Sequence, residues 1–457
     1  MRSLLSLALG TFLVSCSGGS ATAPASSGGS STAEDLGTKH PYHPEVKKEP
    51  DKAPEDRHDK DAKPAPVADK PAPPPAGLDF ADDARMLYRI AACGGADDDR
   101  VPETMSSGDA NRKKQLERVA KGHCKFILDR IKEFRAAYFD KHQAWFAEHV
   151  PKTAPKTVVY PFGGGDLISA LVAFPDATEI TTISLEMAGD PRRIRTLRPD
   201  VLENSLGALR VEIGGLIMVG SNTSVNLSAG QRNELPGQVS SFMMGLVAGG
   251  YEPIAMRYFR INDDGTLHYH EQADLDAIQA EEKKKGAKSR QSNWASPNFS
   301  EAFANVEIQF KKIGDAQVRI HRHIGWNLNN EYLAKNPQLL AHLSGKGKVT
   351  ILTKGGSYLL QREDFSTMRG WMLGANLAWM LSDSTGPAPT YAEPAGMVQE
   401  TFGTYAGALL GGAQNNKHDL SMIKLFRTNP QQKLGFRFGY VDAAGAGHLI
   451  ITRPRGT

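Results

Sequence analysis

No basic tail and no stripe of Arg and Lys stands out in this chain, and its formal net charge is only +3 over 457 residues. A dedicated nucleic-acid binder carries such a surface, so no nucleic-acid partner is expected. Past the first sixteen residues no apolar run reaches membrane-spanning length, so no transmembrane helix is expected there. Ser/His/Asp catalysis has no support either, because no Gly-x-Ser-x-Gly elbow occurs. Ser357 after Gly355-Gly356, and Ser384 beside Asp383, read as turn and capping residues rather than nucleophiles. The acidic pair Glu363-Asp364 is adjacent in sequence, and adjacent side chains do not face each other on a helix. Residues 17 to 79 almost lack large apolar side chains. The 40% hydrophobic content is therefore concentrated in the rest, enough for one large or two medium domains with a sizeable core.

What is present begins at the N-terminus. Arg2 gives a short positive start, Leu4 to Val14 form a brief apolar run, and Leu13-Val14-Ser15-Cys16 follows. The run is too short for a stable bilayer-spanning helix, and its flanks fit an export signal. The last four residues resemble the lipobox of bacterial lipoproteins. That resemblance implies that residues 1–15 are a signal peptide and that Cys16 is lipidated and becomes the mature N-terminus. It also implies a cell-envelope location with the lipid as the membrane attachment, and Ser17 looks like an outer-membrane address. Residues 16–79 read as a disordered tether, first Ser/Gly/Ala/Thr, then Pro/Ala/Lys/Asp/Glu, ending in Lys70-Pro71-Ala72-Pro73-Pro74-Pro75. As a coil it spans roughly 40–45 Å, and fully extended about 190 Å, so it lets a folded domain stand away from the membrane.

Cys93 and Cys124 are the other two of the three cysteines. An oxidising compartment and an even count point to a disulfide between them. The alternative is two separate buried thiols, since Cys124 shares an apolar stripe with Val119, Ala120, Ile127, Ile131 and Phe134.

Residues 80–155 read as a helical lead-in: a short amphipathic piece over Phe80 to Ala92, then a long one over 110–149 with apolar residues at helical spacing, stopped by Pro151 and Pro155. Residues 156–457 read as an α/β domain. Thr157-Val158-Val159-Tyr160 is strand-like, a glycine loop follows, Leu167 to Phe174 looks helical, and Glu179 to Leu185 is a second strand ending at Glu186. Lys348 to Thr353 opens a similar unit, with Phe365 to Leu381 helical in character and Asp383-Ser384-Thr385-Gly386-Pro387 ending it. Such βαβ units predict a three-layer α/β fold with a mixed sheet, Rossmann-like in part.

Antiparallel material lies between them. Ile254 to Ile261 and Thr266 to Glu271 read as a hairpin around Asp264-Gly265. Val306 to Lys312 and Ala316 to Ile324 read as another. A three-residue loop with a bulge, Ile313 to Asp315, puts Ile308 and Phe310 on one face with Val318 and Ile320, and Glu307 opposite His321 on the polar face. Ala280 to Gln291 reads as a solvated, mobile Lys-rich loop. Leu434 to Val441 and His448 to Thr452 read as a final hairpin.

The sharpest internal motif is Tyr160-Pro161-Phe162-Gly163-Gly164-Gly165-Asp166, a loop between a strand and a helix, with Glu186 at the end of the next strand. It resembles the first half of a Rossmann-like methyltransferase over about thirty residues. The usual acid and spaced glycines are replaced by Tyr-Pro-Phe and consecutive glycines. Helix N-termini hold anions and switch-point crevices bind small molecules. Gly163, Gly164, Gly165, Asp166, Glu186 and Asp383 are therefore the candidate ligand-binding residues. The competing reading is a structural turn capped by Asp166.

His268-Tyr269-His270 and His321-Arg322-His323 are both His-x-His on strands, which puts each pair on one face, as zinc or copper chelation requires. Asp263, Asp264 and Glu307 are the carboxylates in sequence reach, and Arg319 and Arg322 bring opposing positive charge. No cofactor is expected beyond a divalent metal at these pairs.

The sequence also resembles a group of bacterial exported proteins without an established activity. It does so through Tyr160 to Asp166, Phe174-Pro175-Asp176, Leu185-Glu186, Ser357-Tyr358-Leu359, Phe365-Ser366-Thr367-Met368-Arg369 and Asp383 to Pro387. In the last of these, Pro387 follows Gly386 directly, without the intervening residue of the pattern. Three functions fit these observations. The first is a non-enzymatic envelope protein binding a small molecule, glycan or envelope protein. The second is a hydrolase or transferase using the crevice at residues 163–166. The third is a metal-binding protein using the His-x-His strands.

Overall fold

Val158, Val159, Ile180, Ile183, Ile351 and Leu352 are fully buried. They divide between the two faces of their strands, Val158, Ile180 and Leu352 on one side and Val159, Ile183 and Ile351 on the other. Strands apolar on both faces suit a parallel sheet covered by helices on both sides. The computed structural model describes residues 77–96, 100–213, 235–285, 300–407, 417–429, 432, 434–439 and 447–456. Residues 1–76, on which the expected signal peptide, Cys16 and most of the expected tether fall, and residues 286–291 of the Lys-rich segment lie outside the described residues.

The strands are β1 (Thr157–Pro161), β2 (Glu179–Ser184), β3 (Tyr251–Ile261), β4 (Leu267–Tyr269), β5 (Asn305–Lys312), β6 (Val318–Gly325), β7 (Val349–Thr353), β8 (Leu377–Ser382), β9 (Met397–Gly403) and β10 (His448–Pro454). They form one sheet in the order β4-β3-β5-β6-β2-β1-β7-β8-β10-β9. The five central strands, β6 to β8, are mutually parallel, and both flanks are antiparallel. The fold is a three-layer α/β fold with a mixed sheet.

One face carries α1 (Ala81–Ile90), α2 (Glu103–Ser106), α3 (Ala110–Phe134), α4 (Asp140–His149), α5 (Leu167–Ala173), α6 (Pro199–Ile213) and α7 (Gly237–Gly249). A π-helical turn, Arg135–Phe139, joins α3 to α4 without a break. Leu116, Cys124, Ile127 and Phe134 of α3 are buried in the same cluster as Val158 and Tyr160 of β1, so these helices form a layer of the α/β core. α8 (Gln272–Lys285) follows β4. The opposite face carries α9 (Asn330–Lys335), α10 (Gln338–Ser344), α11 (Ser366–Met372) and α12 (Pro389–Ala392), and α13 (Lys417–Thr428) shares a buried cluster with Ile450 of β10. Cys93, just after α1, is disulfide-bonded to Cys124 of α3, with Cα atoms 5.2 Å apart.

Four local expectations differ from the structure. Phe365 to Leu381 is not one helix: α11 ends at Met372, a Gly374 turn follows, and the apolar run Leu377 to Ser382 becomes β8 beside β7. Central burial overrides the helical spacing there. The start of the Lys-rich segment is helical, since α8 runs to Lys285. His448 to Thr452 does form a strand, but it pairs with β8 and β9, and residues 434–439 carry no strand. A short hairpin would leave β8 as an open edge, and inserting β10 covers it.

The β5–β6 register is the fourth difference. Glu307 lies opposite Arg322 and Ile308 opposite His321, closing at Lys311–Val318 with an even number of residues between. His321 and His323 therefore face the core with Ile308 and Phe310, while Val318 is 50% exposed. One residue of slip exchanges the faces of a strand. Here Arg322 decides the register by pairing with Glu307 (2.8 Å) and Glu179 (2.8 Å) on the other face.

Candidate functional site

β1 continues through α5 to β2 on one side, whereas β7 continues through α11 to β8 on the other. The strand order therefore reverses between β1 and β7. In open α/β sheets such a switch point leaves a crevice beyond the carboxyl ends of the strands, where ligands bind. Two glycine loops meet here: a Cβ on Gly356 would lie 3.2 Å from the Cβ and carbonyl oxygen of Phe162. Phe162 and Gly164 both have positive φ (60° and 49°), so the chain turns sharply from β1 into α5. A non-glycine residue in that region is uncommon and marks local strain.

Asp166 is 4% exposed and caps α5 by accepting from Ser169 N at 3.2 Å. Its other oxygen accepts from Tyr160 Oη (3.0 Å) and Lys354 Nζ (2.8 Å), and Lys354 also donates to Ser169 Oγ (2.7 Å). The ion pair thus bridges the β1 and β7 loops. Burial, reinforced by the Asp166 carboxylate, holds the Tyr160 phenol well above its ordinary range. His142 of α4 lies near Lys354. Burial first, and then that ammonium, push its imidazole down to about 4, and its ring packs on Phe436 at 4.1 Å.

Asp383, fully buried after β8, accepts from Gly355 N (3.1 Å) and Thr385 N (2.9 Å). Its Oδ1 also accepts from the Thr385 hydroxyl, which is bonded to Ser357 Oγ. Gly439 packs directly over the Asp383 carboxylate. Glu186 lies two residues beyond β2 and is half-buried. Its carbonyl accepts from His323 Nε2 at 2.7 Å. The structure thus brings the β1 loop, Asp166, Glu186 and Asp383 to one carboxyl edge, with Asp166 and Asp383 engaged internally. Lys354 is the partner that sequence reading missed; its position directly after a strand, before Gly355-Gly356, was the available signal.

Several amides around the start of α5 are engaged within the protein, Asp166 N donating to Gly163 O at 3.0 Å. Gly163 N donates to Tyr160 O and Ile183 O, and Ser169 N donates to Asp166.

The two His-x-His pairs part company. A carbonyl only accepts, so His323 donates from Nε2 to Glu186 O and accepts at Nδ1 from Thr182 Oγ1 (3.0 Å), which in turn accepts from His321 Nε2 (3.0 Å). Both rings pack on Phe242, and burial pushes His321 well below 6.5 and His323 to about 4. These nitrogens serve a buried chain of hydrogen bonds that fixes the turn after β2. Among the described residues, the His/Cys/Asp/Glu group with ligand atoms in mutual reach is His268, His270 and Asp274. Asp274 is the partner sequence reading missed. Asp264 instead closes its own turn on Thr266 N at 2.9 Å, and Glu307 pairs with Arg322 and Tyr269 Oη (2.5 Å).

No protein-family model, curated protein or solved structure matches this chain.

Proposed function

We propose that the chain is a lipid-anchored protein of the bacterial cell envelope, held at the outer membrane through Cys16, whose α/β domain binds a small molecule or glycan without transforming it. The observation that carries this reading is the rim of the carboxyl edge. Four neighbouring parallel strands are each followed by a large apolar residue: Phe162 after β1, Leu185 after β2, Trp326 after β6 and Tyr358 in the turn after β7. Leu185 is 59% exposed, Tyr358 is 38% exposed, and Phe162 and Trp326 are half-buried. Aromatic and aliphatic surface beside a few polar groups is the composition of small-molecule sites. Half-buried Glu186 supplies a polar group at the same edge. The chemistry behind the rim is self-satisfied, with Asp166 held by Lys354 and Asp383 by Gly355 and Thr385.

A hydrolase or transferase is the second reading, favoured by the hydroxyl chain that links Ser357 through Thr385 to Asp383. All three residues are fully buried, so this reading requires Gly439, which packs over the Asp383 carboxylate, to move aside.

The test uses the full chain expressed in bacteria with labelled palmitate, followed by thermal-shift measurements with muropeptides and envelope oligosaccharides. The wild type takes lipid label and Cys16→Ser does not. A stabilising ligand loses its effect in Leu185→Asp, a surface change with little influence on folding. Label on Cys16→Ser sinks the anchor, an unchanged ligand shift in Leu185→Asp sinks the site, and turnover of the probe sinks the non-enzymatic half of the proposal.

A further inference from the structure

We propose that His268, His270 and Asp274 form a binding site for one divalent transition metal of the zinc type, at the β4 edge of the sheet. The hairpin turn sets Arg260 opposite His268 and Phe259 opposite Tyr269, so the two histidines, two residues apart, share one face of β4 and its continuation. The backbone of His270 is pinned on both sides, its N–H donating to Tyr258 O and its carbonyl accepting from Leu78 N, each at 2.9 Å. The third residue of α8 is Asp274. Its Oδ2 accepts from Glu271 N at 2.9 Å, a capping contact that fixes the carboxylate, and lies 3.1 Å from His268 Nε2. One ligand atom from each of the three side chains lies within 4.8 Å of the others.

An independent observation points the same way. His270 is only 3% exposed, yet its Nδ1 has no hydrogen-bond partner. A buried polar atom is ordinarily satisfied, and an imidazole of this trio with an unpartnered buried nitrogen has capacity left for an occupant. Two nitrogens and one carboxylate oxygen suit zinc-type ions rather than Mg²⁺ or Ca²⁺, which take oxygen ligands. Ligands at about 2.0–2.1 Å around a tetrahedral ion stand about 3.3 Å apart, close to the His268–Asp274 separation. Side-chain rotation brings the third atom in. Three protein ligands leave a fourth position for water or an exogenous group. Arg260 is the cation on this face and is exposed to solvent. The site lies five strand positions from β1, roughly 24 Å at the usual strand spacing, and is separate from the carboxyl-edge rim.

The experiment takes the purified full chain, strips it with chelator and titrates it with Zn²⁺ alone by calorimetry, with melting temperature measured in parallel. One ion binds per chain and raises the melting temperature. His268→Gln and Asp274→Asn, both at partly exposed positions, weaken binding by about tenfold or more while the metal-free proteins melt near wild type. Co²⁺ in place of Zn²⁺ gives the strong visible absorption of a four-coordinate site. The proposal is overturned if the wild type binds no Zn²⁺, or binds it as tightly in the His268→Gln/Asp274→Asn double variant, which places the ion on other histidines. It is equally overturned if Mg²⁺ binds with the affinity of Zn²⁺.

Discussion

Asp166 does two things at once: it caps α5 and neutralises Lys354, whose side chain is only 13% exposed. Losing a cap alone costs about 0.5–2 kcal/mol. Removing one member of a buried pair leaves the other charge unsolvated and costs about 3–5 kcal/mol. Asp166→Ala is therefore expected to lose at least about 3 kcal/mol by urea denaturation, and Asp166→Ala/Lys354→Met is expected to recover much of the loss. A single variant that loses less than a cap's worth means that Lys354 finds another partner. The capping half of this role is readable from Asp166 before an apolar helical run. The ion pair is not, because Lys354 lies 188 positions away and only the β1–β7 pairing brings it near.

The elements divide by how local their causes are. α1, α3 and the β1–α5–β2 unit follow from apolar spacing and from Asp109 and Asp166 as caps, so their sequence signals suffice. The β5–β6 hairpin does not. Apolar alternation at Val318 and Ile320 argues for one register, and the Arg322 pairs with Glu307 and Glu179 argue for the other. β2, the strand that supplies Glu179, comes from a distant part of the chain. The Cys93–Cys124 bond ties the end of α1 to the middle of α3 across a separation of 31 residues. In the loop-entropy account it stabilises the domain by about 3–4 kcal/mol. Thiol titration of the unreduced, denatured chain is expected to find neither cysteine free, and reduction is expected to lower the urea midpoint accordingly. Two titratable thiols at these positions would contradict the bond.

At the scale of the molecule, burial of neutral imidazoles sets the response to acid. Burial pushes His123 and His323 down to about 4, although each donates to a backbone carbonyl. A histidine whose folded value lies below its unfolded 6.5 favours the native state fully above about pH 6.5 and loses that contribution as pH falls toward 4. Each is expected to remove of order 2 kcal/mol by pH 5. Glu179 acts lower. Burial opposes its ionisation, but Arg322 and Lys346 outweigh burial and hold it at about 2, so its contribution is present above about pH 4.5 and fades below. Urea midpoints are therefore expected to hold level above pH 6.5, fall from there to pH 4, and fall further toward pH 2. A midpoint unchanged between pH 7.5 and 5 rules out neutral buried histidines.

Composition and local pattern by themselves determined that this is an α/β chain with βαβ units around a glycine loop, because strand and helix periodicities and caps act within a few residues. They also placed Asp166 and Glu186 beyond strand-like segments of one parallel unit, whose ends share one edge, whereas Asp383 followed a stretch with helical spacing that became β8 only in the sheet. Only the tertiary structure decided which strands became neighbours. Sheet order put β10 between β8 and β9, turned Leu377 to Ser382 into a strand, and buried His321 and His323 while leaving His268 and His270 beside Asp274. Those outcomes depend on pairings between distant segments, where burial of a whole face outweighs the preference of any single stretch.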